Sequence, residues 1–196
     1  MPNWCNNSVE IYHDDPAMIE RARTAFNDAK FLNEFVPVPQ SLMITAGRDG
    51  SDGDPRQIAL EQAEALNRKE HGYANWYDYC VAEWGTKWDV GGDGYEAQDI
   101  PGGLILIFDS AWAPPVAAYD KLEAQGFRIR AMYYEPGMAF AGIYEDGHDD
   151  YYEYGGMSSD QIAEELPAEL DDAFGISQDV AQWEEENREE EEADNE

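Results

Sequence analysis

Ser8-Val9-Glu10-Ile11-Tyr12, followed almost at once by Asp14-Asp15-Pro16-Ala17-Met18-Ile19, is the stretch that decides the fold. Its first half alternates with period 2, which predicts a strand with Val9 and Ile11 turned inward. Its second half opens a helix. Asp15 is placed to cap it, Pro16 takes the first helical position where a missing N–H costs nothing, and Met18, Ile19, Ala22 and Phe26 share one face. That face is expected to pack on the first strand's sheet.

Leu104 to Phe108 is a continuous apolar run, which reads as a central strand buried on both faces. Asp109 to Pro115 turns into a helix that Gly126 ends, with Val116, Tyr119 and Leu122 inward. Phe127 to Tyr134 alternates, Glu135-Pro136-Gly137 turns, and Ala139 to Tyr144 closes a hairpin. The middle of the chain is more mixed. Phe31 to Val36 reads as a strand stopped by Pro37-Val38-Pro39, Thr45 to Pro55 as a polar loop, and Pro55 to about Glu70 as a helix ended by Gly72. Ala74 to Trp84 reads as a short core helix with Trp76, Cys80 and Trp84 on one face, and Lys87 to Val90 as the start of a strand. The class is α+β: a ferredoxin-like antiparallel sheet with helices on one face, a helical insertion at about 41–75, and an acidic C-terminal extension. Residues 1–144 form the expected domain and residues 145–196 the extension.

Charge defines that extension. The 196 residues carry 43 Asp and Glu against 12 Lys and Arg, a net charge of -31, and from Glu145 onward there are 21 acids and one base, Arg188. Ser158-Ser159-Asp160-Gln161 has the form of a capping box before Ile162, Ala163 and Leu166. Ser177 is placed to cap a final helix anchored by Val180 and Trp183. Glu184 to Glu196 has Glu184 and Arg188 as its one i, i+4 attraction, so it is expected to fray into disorder. A surface of this kind repels nucleic acid and anionic membrane and attracts basic protein surfaces. The acidic residues expected to bind are Asp149, Asp150, Glu153, Glu164, Glu165, Asp171, Asp172, Glu184 and Glu185. No apolar run approaches membrane-spanning length, and Met1-Pro2-Asn3-Trp4 lacks signal-peptide features, so a cytoplasmic protein is expected. Cys5 and Cys80 are too few for a disulfide framework and have no metal-ligand spacing, which predicts reduced, buried thiols.

Four segments together resemble one family: Met1-Pro2-Asn3-Trp4-Cys5-Asn6-Asn7, Trp84-Gly85-Thr86-Lys87-Trp88-Asp89, Ser110-Ala111-Trp112-Ala113-Pro114-Pro115, and Tyr134 to Gly142. In this order they resemble the YubB-like ferredoxin-like domain family of phage and plasmid proteins. The resemblance covers roughly residues 1–144 and implies a ferredoxin-like fold and a mobile-element origin. It implies no reaction and no catalytic residue.

Trp84, Lys87, Trp88, Asp89, Asp109, Trp112 and Glu135 are the candidate pocket residues, with tryptophans as walls and the charged groups as polar contacts. The plainer reading puts the tryptophans in the core and Lys87 and Asp89 on the solvent face. Asp109 and Glu135 form a candidate carboxylate pair for acid and base work, weighed against Asp109 as an ordinary turn residue. Asp89-Val90-Gly91-Gly92-Asp93-Gly94 imitates a calcium loop but lacks ligands at its third and twelfth positions. No cofactor, metal or nucleophile motif is present in the sequence. Two functions follow: a DNA mimic whose acidic face fills the basic groove of a host nucleic-acid-binding or defence protein, or a small ligand-binding domain or enzyme with a Trp-lined pocket. A third reading, acidity shared by a whole proteome, assigns no partner. Removal of residues 145–196 is expected to abolish partner binding and leave the domain folded.

Overall fold

A computed structural model describes residues 3–193, with side chains as far as Arg188. In chain order it contains β1 (Trp4–Tyr12), α1 (Pro16–Asn27), α2 (Phe31–Phe35), a 3-10 turn (Gln40–Leu42), α3 (Pro55–His71) and α4 (Trp76–Glu83). Then come β2 (Glu96–Ile100), β3 (Gly103–Ala111), α5 (Val116–Glu123), β4 (Arg128–Glu135), β5 (Phe140–Glu145), β6 (His148–Glu153), α6 (Ser159–Glu165), α7 (Ala168–Phe174) and α8 (Ile176–Ala193). The fold is α+β. One antiparallel sheet has the order β2-β3-β1-β4-β5-β6. Its first four strands, with α1 and α5 as crossovers, are the ferredoxin-like arrangement, and β5 and β6 widen it beyond β4.

The alternation at the start of the chain sets the main core. Val9 and Ile11 point to one face, joined there by Leu104, Leu106 and Phe108 of β3 and by Ile129 and Ala131 of β4. Ala22 and Phe26 of α1, and Tyr119 and Leu122 of α5, close over them. Asp15 caps α1 as expected, accepting the Ala17 N–H at 2.9 Å. Each fully buried large side chain here contributes about 1.5–3 kcal/mol.

Three local expectations differ from the structure. Phe31–Phe35 is a helix, because the Asp89 carboxylate accepts the Leu32 and Asn33 N–H groups of its first turn at 2.7 and 3.0 Å. Phe31, Leu32 and Phe35 then fall on a single buried face. Lys87 to Val90 forms no strand, and the edge strand beside β3 is the polar Glu96–Ile100 instead. Leu104 to Phe108 is buried on one face only, since Ile107 on the other is 42% exposed.

The acidic segment after Tyr144 is built into the sheet. β5 runs through Tyr144 to Glu145, and β6 pairs with it from His148 to Glu153. On the face opposite the main core, Tyr134, Ala141 and Ile143 meet Tyr154, Ile162, Leu166, Leu170 and Ile176 in a second core. The helices expected on one face of the sheet are thus joined by α6, α7 and α8 on the other. Ser158 forms the expected capping box with Gln161. The cap of α8 comes from Asp171, which accepts the Ser177 N–H and Oγ at 2.7 and 2.6 Å, rather than from Ser177 itself. Glu184 accepts the Ser159 N–H and Oγ at 3.2 and 2.7 Å and ties α8 to α6. Residues 184–193, expected to fray, continue the helix, and residues 194–196 lie outside the described residues.

Candidate functional site

The four segments that carry the family resemblance, far apart in sequence, meet at one end of the sheet. Trp4 opposes Ala111 across β1 and β3, and Asn6 opposes Tyr134 across β1 and β4. Trp112 N–H donates to Asn3 O at 2.9 Å, and the Thr86 hydroxyl donates to Ala111 O at 2.9 Å. Gly137 lies so close to the Asn3 side chain that an added Cβ would sit 2.6 Å from its amide nitrogen. Trp112 has φ +68, a left-handed conformation costing a bulky residue about 1–2 kcal/mol, and it holds its ring out at 42% exposure.

Around this end the structure gathers aromatic rings, Trp88 and Trp112 exposed and Tyr77 half-buried, about one cation. The Lys87 ammonium lies 4.6 Å from the Trp88 ring, 5.0 Å from Trp112 and 5.7 Å from Tyr77. Trp4 packs on Trp88 at 6.0 Å between ring centroids. Two hollows flank Lys87. One, of about 310 Å³, is walled by Val38, Met43, Trp76, Trp84 and Trp88; the other, of about 420 Å³, is lined by Asn75, Trp76, Tyr77, Asp78 and Trp112. Trp84 is buried and donates its ring N–H to Val36 O at 2.8 Å, so it serves as the floor of the first hollow and as core.

The candidate carboxylates are committed elsewhere. Asp89 accepts three backbone N–H groups, from Leu32, Asn33 and Val90; burial pushes its carboxyl up while those donors pull it back down. Asp109 accepts the Asn6 amide at 2.6 Å. Glu135 is buried and accepts the Gly137 and Met138 N–H groups at 3.0 and 2.6 Å, closing the hairpin turn. Asp109 shares a face with Asn6 and Tyr134, so alternation turns the neighbouring Glu135 to the opposite face. These two carboxylates do not form an acid-base pair. Burial pushes the Cys5 and Cys80 thiols each up to about 12, which leaves them protonated and poor nucleophiles. Among the described residues no group of His, Cys, Asp and Glu is arranged to hold a metal ion.

The acidic surface divides by role. Asp171 and Glu184 are spent on the helix contacts above. Asp149 accepts the Tyr133 hydroxyl at 2.8 Å, and burial raises its carboxyl. Asp150 sits 3.3 Å from His148. Glu153, Glu164, Glu165, Asp172 and Glu185 are exposed, and none has an ion-pair partner among the described residues. Lys30, Met43, Trp76 and Tyr77 also line these hollows and carry no local signal in the sequence that marks them as site residues. Met43 comes from the insertion, Trp76 and Tyr77 from α4 just after it, and Lys30 from the turn between α1 and α2, so tertiary packing brings them beside Lys87.

No family model and no curated protein matches this sequence. Among solved structures, the crystal structure of a protein api92 from Yersinia pseudotuberculosis, of family DUF1281, aligns with a TM-score of 0.42 and 16% identity, over 80% of this chain and 99% of that one. At that distance the likeness assigns neither family nor activity. Among the described residues no helix is long and apolar enough to cross a membrane.

Proposed function

We propose that this chain is a protein-binding module of phage or plasmid type. Its acidic layer occupies a basic, nucleic-acid-handling groove of a host protein and so acts as a DNA mimic in the host cytoplasm. The observation that supports this reading is the set of exposed, unpaired carboxylates on β6 and α6 to α8, residues Glu153, Glu164, Glu165, Asp172 and Glu185. They stand on elements pinned to the sheet by the second core. Charges on a fixed frame keep their spacing, whereas a frayed tail spreads its charge over many conformers and loses entropy on docking.

The test is displacement. Bacterial proteins retained on a duplex-DNA column at about 50 mM salt are washed with the full chain, or with a variant carrying Glu153→Gln, Glu164→Gln, Glu165→Gln, Asp172→Asn and Glu185→Gln. The wild-type chain elutes a basic protein and the variant elutes on the order of tenfold less of it. Equal elution by both, or elution by neither, contradicts the proposal. Truncation after Tyr144 is not a substitute, because it removes β6 and uncovers Tyr134, Ala141 and Ile143.

A further inference from the structure

The slot beside Lys87 plays no part in the acidic-face reading, and its electrostatics run against the rest of the molecule. The chain has 43 acids for 12 bases, and among the described residues eight of those bases, seven arginines and Lys121, are ion-paired with a carboxylate. Lys30 and Lys87 both line the same hollow of about 310 Å³, and neither pairs with a carboxylate among the described residues. Lys87 is held instead by the faces of Trp88, Trp112 and Tyr77, contacts that fix an ammonium without cancelling its charge. The one acid in the lining, Asp89, has its oxygens filled by backbone donors. The remaining wall is mostly apolar, Val38, Met43, Cys80 and the rings of Trp76, Trp84 and Trp88, with Asn33 as its one neutral polar side chain.

An aromatic hollow of this volume with two lysines in its lining has the make-up of a small-molecule site. We propose that it binds a planar aromatic anion, with the ring against the tryptophan walls and a carboxylate or phosphate on Lys87 and Lys30. The charges left free in the pocket are therefore Lys87 and Lys30, where the sequence reading set Lys87 beside the carboxylates Asp89, Asp109 and Glu135. Trp112, which lines the neighbouring hollow, completes the set of ring faces that hold the Lys87 ammonium.

Three probes of one shape test the sign of the site: 1-naphthoate, 1-naphthylmethanol and 1-naphthylmethylammonium, followed by tryptophan fluorescence of the full chain. Naphthoate binds about tenfold tighter than the ammonium compound, although the net charge of -31 favours the cation. Lys87→Met brings the two within about twofold, while Lys69→Met, which removes a lysine outside the slot, leaves the preference intact. Tighter or equal binding of the ammonium compound to the wild-type chain, binding of none of the three, or a preference that survives Lys87→Met in a protein with wild-type circular dichroism overturns the proposal. The comparison on the wild-type chain decides the matter even where the variant does not fold.

Discussion

Leu170→Ala measures how firmly the acidic segment belongs to the fold. Leu170 sits on α7, fully buried in the second core with Ala141 and Ile143 of β5 and with Ile162 and Ile176 of the flanking helices. Truncation removes most of an isobutyl group from a site closed on all sides, and the cost is the lost transfer free energy plus that of the cavity, about 3 kcal/mol. For a domain of this size that lowers Tm by about 6–12 °C. Urea unfolding followed by both far-UV circular dichroism and tryptophan fluorescence reads the loss. Because five of the six tryptophans lie before Tyr144, at Trp4, Trp76, Trp84, Trp88 and Trp112, fluorescence reports chiefly on the ferredoxin-like part. The structure predicts that both signals shift together, as one cooperative unit. A fluorescence transition that stays in place while part of the circular dichroism is lost early would refute the integration of residues 145–193 and restore the picture of an appended extension.

Further outcomes follow from the same contacts. Asp89→Ala orphans three backbone N–H groups, including the first-turn donors of α2, and is expected to cost about 2–4 kcal/mol in chemical denaturation, with Asp89→Asn milder. At position 112 glycine relieves the left-handed strain that alanine retains, so Trp112→Gly is more stable than Trp112→Ala by about 1 kcal/mol. Asp149 has its carboxyl raised above 3.8, chiefly by burial, so the folded state binds its proton more tightly than the unfolded state does. That contribution is fully present below pH 3.8 and is lost as pH rises through the raised value. Asp149→Asn, which stays uncharged, is therefore more stable than wild type at pH 7, and the difference vanishes in melts near pH 3.5.

Sequence showed the features whose physics is local. The Val9 and Ile11 alternation, the Asp15 and Pro16 start of α1, the Gly72 stop of α3 and the capping box at Ser158 each depend on residues within a few positions of one another. It failed where a distant partner decides. Phe31–Phe35 has strand-like composition, and the carboxylate that caps it as a helix arrives 57 residues later. β6 carries acids on both faces because it is an exposed edge strand, so no apolar alternation marks it. The same limit applies at the site. Trp84, Lys87, Trp88 and Trp112 were visible as a cluster of types, but Lys30, just before α2, and Tyr77, on α4, join them only through tertiary packing. Asp109 and Glu135 looked like a pair until the register of β1 turned them to opposite faces.

The mimicry proposal is tested most directly by the salt dependence of binding to a protein that the chain displaces from DNA, measured for the wild-type chain and for the variant neutral at Glu153, Glu164, Glu165, Asp172 and Glu185. Mimicry requires a steep fall in affinity for wild type between about 50 and 200 mM salt and a distinctly shallower slope for the variant. Identical slopes would contradict it, because the five carboxylates would then contribute nothing to the contact.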